Sequence, residues 1–439
     1  MIRRGLMALA SVALVSLLTW GQAAAPRLPL SIAIGGQIQD YLEPCGCGGR
    51  LAGGLANRAA LLNEWRAEGP GAKVVIELGD MGEVPDRRAI IARGLARFGV
   101  DVLALGPMDL AHWADWQPIL AAHAVKPISM TTPEGDEALP ISQIVETGGW
   151  KVGVVSLNTL TTPDYPLFDR VVAEVGRLRA EGCQPVVVAS FLRHTDTMLL
   201  LEYFPAEERP EVVAQAMDWD FEDQTSERFG ITWAPVARRG RSVTSITFQP
   251  DGTQTTWSRL NEDGEGQDAT IRAWVDAYYQ QQRVGEVSAS PTAATVAFAR
   301  PEACLPCHQA SVEAWREHPY AHAVETLEII ERDVAGCLGC HDETFRRASI
   351  RPPLTGDRGV QCATCHGGLE AHLDAPETNL PTGLDQAGCE TCHMVEHSPN
   401  WNYQRYLASV VGACQGQVQA RLAVPAPAVG PQLGPAPAR

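Results

Sequence analysis

Twelve cysteines and eleven histidines occur among 439 residues, and most of them gather in one pentapeptide that the chain repeats. The copies are Cys304-Leu305-Pro306-Cys307-His308, Cys337-Leu338-Gly339-Cys340-His341, Cys362-Ala363-Thr364-Cys365-His366 and Cys389-Glu390-Thr391-Cys392-His393. Two thiols three residues apart can each form a thioether to one of the two vinyl groups of a porphyrin, and the adjoining imidazole then falls beneath the iron. Each copy specifies one covalent c-type haem, four in all, with the eight cysteines as attachment residues and His308, His341, His366 and His393 as proximal ligands. Shuffling this composition would give on the order of 0.01 copies per chain, so four are not a by-product of cysteine content. A zinc knuckle pairs two Cys-x-x-Cys motifs and gives no reason for His in the fifth place. Thioredoxin-like chemistry needs one such motif opening a helix after a strand, not four.

Each iron also needs a decision about its sixth ligand. Beyond residue 299 and outside the motifs lie His318, His322, His372 and His397, one per haem. Bis-imidazole ligation favours low-potential electron transfer, whereas an iron without a second imidazole is open to a small molecule. Met394 follows the fourth motif directly and is too close to reach the opposite face.

The elements that position these residues fall into two regions. Before residue 265, short apolar runs at 30–34, 73–78, 102–105, 151–157 and 185–189 read as buried strands. Between them, 55–68, 86–98 and 168–181 carry apolar residues at helical spacing, and 242–249 with 253–257 reads as a hairpin around Pro250-Asp251-Gly252. Alternating strands and helices imply an α/β sheet with helices on both faces. Residues 267–283 form an amphipathic helix with Ile271, Trp274, Val275 and Tyr278 on one face, and 287–295 reads as a linker. The resulting division is an export segment at 1–25, an α/β domain at 26–265, a helix and linker at 266–298, a haem domain at 299–422 and a disordered Pro/Ala tail at 423–439.

Several residues of the α/β region resemble the calcineurin-like metallophosphatases, in particular the 5'-nucleotidase branch with its thiosulfohydrolases. They are Tyr41-Leu42-Glu43-Pro44-Cys45-Gly46-Cys47 followed by Gly53-Gly54-Leu55-Ala56-Asn57-Arg58, then Glu77-Leu78-Gly79-Asp80, and Gly106-Pro107-Met108-Asp109. The resemblance implies a two-metal site, but Gln37 and Gln39 stand where the family has Asp-x-His, and Pro107 and Met108 replace its Asn and His. Only Asp80 survives among the expected ligands, and one carboxylate cannot fix two cations and generate hydroxide. The domain therefore reads as an inactive relative. Cys45 and Cys47 read either as a disulfide to Cys183 or Cys414 or as a site for a metal or a sulfur group. His194 reads as a surface or capping residue.

From residue 299 onward the chain resembles the tetrahaem cytochrome c-554 family. The likeness rests on Trp315, His322-Ala323, Glu325-Thr326-Leu327, Gly359-Val360-Gln361-Cys362, Cys365-His366-Gly367-Gly368, His372, and His393 through Trp401 to Tyr403. It implies a mainly α fold cored by closely packed haems. It also implies His372 as an axial ligand, together with a histidine five residues after Trp315. That position is Tyr320 here, flanked by His318 and His322, either of which could serve.

Arg3 and Arg4 precede an apolar run at 6–20 and small residues at 21–25, the layout of a secretory signal. The run is short of the roughly 20 residues of a membrane span, so the membrane is a partner only if the segment is retained. Export to the periplasm also fits haem attachment. A formal charge of −17 argues against nucleic acid and leaves redox proteins as the expected partners. The function that follows is electron transfer by an exported tetrahaem cytochrome with a pseudo-metallophosphatase scaffold. Its alternatives are an oxidoreductase acting on a small nitrogen or sulfur compound at a five-coordinate haem, and a metal-dependent nucleotidase or thiosulfohydrolase fused to haems.

Overall fold

Alternating β-branched and amphipathic stretches become alternating strands and helices in the structure, a computed structural model. It describes residues 27–45, 52–133, 136–218, 225–260, 266–289, 298–351, 356–394, 398 and 401–414. The expected export segment and tail, Cys47, His397, residues 290–297 of the linker, and the side chains of Cys45 and Cys414 lie outside the described residues. The chain divides into two units, one of Met1–Leu42 with Gly53–Asn261, the other of Glu43–Ala52 with Glu262–Arg439.

The first unit contains two six-stranded sheets. One runs in the order Gln254–Leu260, Ser242–Phe248, Leu30–Gly36, Ala72–Leu78, Val102–Ala104, Pro127–Ile128. Its last four strands are parallel, and the expected hairpin adds antiparallel to the first of them with Leu30 opposite Phe248. The other runs Ser226–Arg228, Ile231–Val236, Val212–Ala216, Val186–Ser190, Trp150–Leu157, Ser142–Thr147, with four parallel central strands and antiparallel edges.

Strand alternation places Ile32, Ile34, Val74 and Ile76 of the first sheet in one apolar layer with Val152, Val154, Val187 and Val212 of the second. The opposite face of the second sheet packs Val155, Val186 and Val188 against Phe168, Val171, Leu200 and Leu201 of helices Tyr165–Ala180 and His194–Tyr203. Helix Leu55–Ala67 is tied to the first sheet by the hydrogen bond from Trp65 Nε1 to Ser245 Oγ at 2.9 Å. The layered α/β class is as expected; its helices flank a pair of stacked sheets rather than a single one, because each sheet turns one apolar face to the other.

The second unit is mainly helical. Its helices include Ala269–Ala289, Pro301–Arg316, Ala323–Ile329, Ala335–His341, Glu343–Ala348, Leu369–Asp374 and Tyr403–Cys414. Ala269–Ala289 buries Ile271, Val275 and Tyr279, with Trp274 and Tyr278 only partly covered, and it runs into the start of the expected linker. Ion pairs recur in this unit. Arg332 pairs with Glu43 and Asp276 and lies 4.3 Å from the Tyr279 ring centroid, while Asp333 pairs with Arg283 and Arg351. Burial works to raise the Glu343 carboxyl, but hydrogen bonds from Arg346, Arg347 and Thr364 outweigh it and hold the group below its ordinary range. Among the described residues, no helix is long and apolar enough to cross a membrane.

Candidate functional site

In the first three attachment sequences both cysteines lie on one helix, Pro301–Arg316, Ala335–His341 and Cys362–Cys365 in turn, while in the fourth Cys389 lies on helix Gln386–Glu390 and Cys392 in the turn that follows. Pro301 opens the first of these helices, and the backbone leaves helical geometry at His308 (φ −122°, ψ 38°), where the motif ends. At the fourth, Asp385 caps the helix by accepting from the Gly388 N–H at 2.9 Å. None of the eight motif cysteines forms a disulfide. Cys304 lies within hydrogen-bond reach of Cys362, which lowers its thiol to about 7. Cys392 is likewise lowered to about 6 by Cys340. The first motif thus neighbours the third, and the second neighbours the fourth.

The rings of His308 and His372 face each other with centroids 6.2 Å apart. Two imidazoles on opposite sides of one metal, each nitrogen about 2 Å from it, stand at about that separation. His372 Nδ1 donates to the Asn379 carbonyl at 2.7 Å and His341 Nδ1 to the Ala323 carbonyl at 2.8 Å. In each ring Nε2 is then the nitrogen with a lone pair to offer a metal. His366 is half-buried near His308, and burial, then the His308 charge, lowers its imidazole. His318 accepts from the Tyr320 N–H through Nδ1 and turns Nε2 toward Ser409 Oγ at 3.4 Å. His322 engages both nitrogens, Nδ1 with Glu325 at 2.9 Å and Nε2 with the Arg316 carbonyl at 2.8 Å, so it faces no motif histidine. The structure therefore brings His372 to a motif histidine and does not bring His322 to one.

The donor set and its surroundings fit c-type haem. Among the described residues here, apolar side chains form small clusters, such as Phe298, Ala299, Ala363 and Leu369 in one and Val324, Leu327 and Leu338 in another. Ile329 and Leu380 are 81% and 79% exposed, and Leu373, Leu384 and Met394 are also open. A flat apolar porphyrin held between facing imidazoles is the group such surfaces suit. Sequence reasoning did not find the partner of His393. Tyr320 Oη lies 3.1 Å from His393 Nε2, and Trp401 stacks on the imidazole at 5.3 Å and 9°.

In the first unit, the positions expected to hold metals are occupied by protein contacts. Gln37 Nε2 donates to the Val236 carbonyl at 2.6 Å, and Gln39 Oε1 accepts from Arg238 Nε at 3.3 Å. Asp80 Oδ1 accepts from the Met108 N–H at 2.9 Å. Asp109, fully buried, accepts from the backbone N–H groups of Asp80, Met81 and Gly106 at 2.7 to 2.9 Å. Gln37, Gln39 and Asp80 keep left-handed backbones (φ 51°, 49° and 52°), strained geometry for residues with a Cβ. The loop geometry persists while two carboxylates serve backbone donors. Among the described residues, no group of three or more His, Cys, Asp or Glu could hold a metal ion. His194 packs edge-on against Trp233 at 5.3 Å, and Cys183 is a buried free thiol, which removes it as the disulfide partner of Cys45.

Burial pushes the Asp80 carboxyl up to about 6, and burial with the Asp80 charge pushes Asp109 up to about 7. Raised folded values mean that the native state holds protons the unfolded chain releases, so this contribution is complete below about pH 4 and is lost as pH rises through 6 to 7. The limit is about 1.4 kcal/mol per pH unit for each such proton. Asp80→Asn keeps an acceptor for Met108 and removes one charge of the pair. We expect thermal unfolding of the first unit to depend less on pH between 5 and 8 in this variant, which should be the more stable protein at pH 8 by about 1 kcal/mol. An unchanged slope, or manganese-dependent stabilisation that the variant loses, would refute this account of the pair.

Residues 303–367 match the family described as cytochrome c554 and c-prime. No curated protein matches the chain. Among solved structures, the Thermus thermophilus sulfate thiohydrolase SoxB in complex with glycerol aligns at 13% identity and a TM-score of 0.51, covering 59% of this chain and 62% of that one. The Haemophilus influenzae NAD nucleotidase NadN aligns at 12% identity and a TM-score of 0.45, covering 58% and 60%. The chain thus spans less than two thirds of either protein. The Bacillus subtilis calcineurin-like phosphoesterase YfkN aligns at 14% identity and a TM-score of 0.43, covering 58% and 98%. The chain therefore joins a metallophosphatase-like α/β fold to a segment that matches a c-type cytochrome family, and that match implies covalently bound c-type haem.

Proposed function

We propose that this chain is an exported, periplasmic tetrahaem cytochrome that transfers electrons between redox proteins, with its first unit acting as a scaffold or docking element rather than a hydrolase. The observation that carries this reading is the approach of the four attachment sequences in two pairs, first to third and second to fourth, with His372 facing His308. Haem, when bound, supplies reversible one-electron chemistry. The chain's part is positional: cysteines anchor, and the carbonyls of Asn379 and Ala323 fix the tautomers of His372 and His341, which raises the basicity of the nitrogens presented to metal.

Protein produced with its haem should contain four haems per chain by pyridine haemochrome assay and titrate over more than one midpoint potential, with mostly low-spin ferric resonance. Fewer than four haems would overturn the reading, as would phosphatase, nucleotidase or thiosulfohydrolase turnover with manganese or zinc. The alternative of an oxidoreductase on a small nitrogen or sulfur compound is favoured by one observation, the phenol beside His393.

A further inference from the structure

We infer that Arg346 holds a propionate of the haem attached at Cys362 and Cys365, and that its charge raises the reduction potential of that haem. The inference rests on the four-haem reading above. It starts from a gap in the sequence. Between Arg358 and Arg405 the chain carries six acidic residues and no Lys or Arg, and this stretch holds the third and fourth attachment sequences. A haem brings carboxylates of its own, so the cation that balances them has to come from another segment.

Helix Glu343–Ala348 supplies it. Arg346 and Arg347 follow Glu343 by three and four residues and so share its face. Arg346 Nε and Nη2 reach the Glu343 carboxylate at 2.7 and 2.8 Å, Arg347 Nε reaches it as well, and Thr364 of the third motif donates to it at 2.9 Å. Arg347 Nη2 also donates to the Ala363 carbonyl at 3.0 Å, inside the same motif. Two guanidinium groups thus share one carboxylate against the Cys362–Cys365 helix, and Arg347 is already committed to its backbone. Asp342 turns its carboxylate to the N–H groups of Phe345 and Gly359. Arg346 is 40% exposed, and its Nη1 has no hydrogen-bond partner among the described residues. After Glu343, Cys392 and Cys365 raise its guanidinium, so the group stands near the second cysteine of the fourth and third motifs. The clamp through Thr364 and Arg347 belongs to the third, which assigns the propionate to that haem. A guanidinium offers a planar fork of donors that matches a carboxylate. Reduction adds one electron to ferric iron and leaves the centre one charge less positive, so a fixed cation beside it favours the ferrous form.

The test uses the full-length protein carrying its haems, counted by haemochrome assay, in a potentiometric titration followed optically. Arg346→Gln should keep four haems per chain and lower one midpoint potential by a factor of about ten in the reduction equilibrium, about 59 mV for one electron, while the others move less. Arg346→Lys keeps the charge and should restore most of that potential, which a merely structural role would not do. Four haems with unchanged potentials in Arg346→Gln overturn the assignment and leave the tetrahaem reading standing. So does an equal fall in Arg346→Lys. Fewer than four haems in the parent protein overturn both.

Discussion

On the proposed reading of four haems, replacing both cysteines of the third motif, Cys362→Ala with Cys365→Ala, is expected to lower haem content by a quarter and abolish cooperative unfolding of the second unit, while the first unit keeps its transition. The third motif stands where the second unit's few apolar contacts meet its charged lattice. Ala363 and Leu369 belong to one small cluster with Phe298 and Ala299, with Cys362 packed against it. Thr364 Oγ1 donates to Glu343 at 2.9 Å, Arg347 reaches the Ala363 carbonyl at 3.0 Å, and His366 pairs across a short bridge with Gly383. Ordering each residue costs about 1–2 kcal/mol of backbone entropy, and clusters of this size offset little of it. The porphyrin must supply the remaining apolar contact, in the way that a metal supplies folding free energy to a small metallodomain. Limited proteolysis followed by mass spectrometry reads the outcome: fragments from beyond residue 298 should disappear first in the variant. If the second unit resists protease as well as the parent does, haem is not the source of its order.

Local pattern carried much of this architecture. The strands at Leu30–Gly36, Ala72–Leu78 and Trp150–Leu157 follow from short β-branched runs, and the four attachment sequences are contiguous. Pairing was not legible in the same way. That Val212–Ala216 and Ile231–Val236 extend a second sheet depends on which strands lie beside them, and neither stretch differs in composition from many loops with apolar content. The expected ligand losses at Gln37 and Gln39 are matched by the contacts those residues make, but the role of Asp109 was not legible, because its three partners are backbone N–H groups without side-chain identity. Tyr320 was marked only by a missing histidine. Its meeting with His393 joins distant segments, and such a meeting leaves no periodic trace.

Arg58→Ala is expected to destabilise the first unit by about 3–5 kcal/mol near pH 7.5, the usual result of leaving one member of a buried ion pair alone. Arg58 and Glu77 are each 1% exposed; Nε and Nη2 of the guanidinium reach Glu77 Oε1 at 2.8 and 2.6 Å, and Nη1 reaches the Ser242 carbonyl at 3.3 Å. Sequence register creates the space: Gly35 lies opposite Glu77 in the parallel pair, and a Cβ at Gly35 would fall 1.9 Å from Arg58 Nη2. Burial raises the Glu77 carboxyl above its ordinary range even with Arg58 beside it, and removing the guanidinium removes the two influences that lower it. The folded value in the variant then lies further above the unfolded one, so its stability is retained below about pH 4 and lost as pH rises. The deficit relative to the parent should accordingly be smaller at pH 5 than at pH 8. Arg58→Met with Glu77→Leu, which removes both charges, should recover most of the loss, since well-packed apolar replacements of a buried pair are often neutral or better. Denaturant melts at the two pH values decide it: a loss below about 1 kcal/mol, or an equal deficit at both, would mean that the pair is not the electrostatic clamp its burial implies.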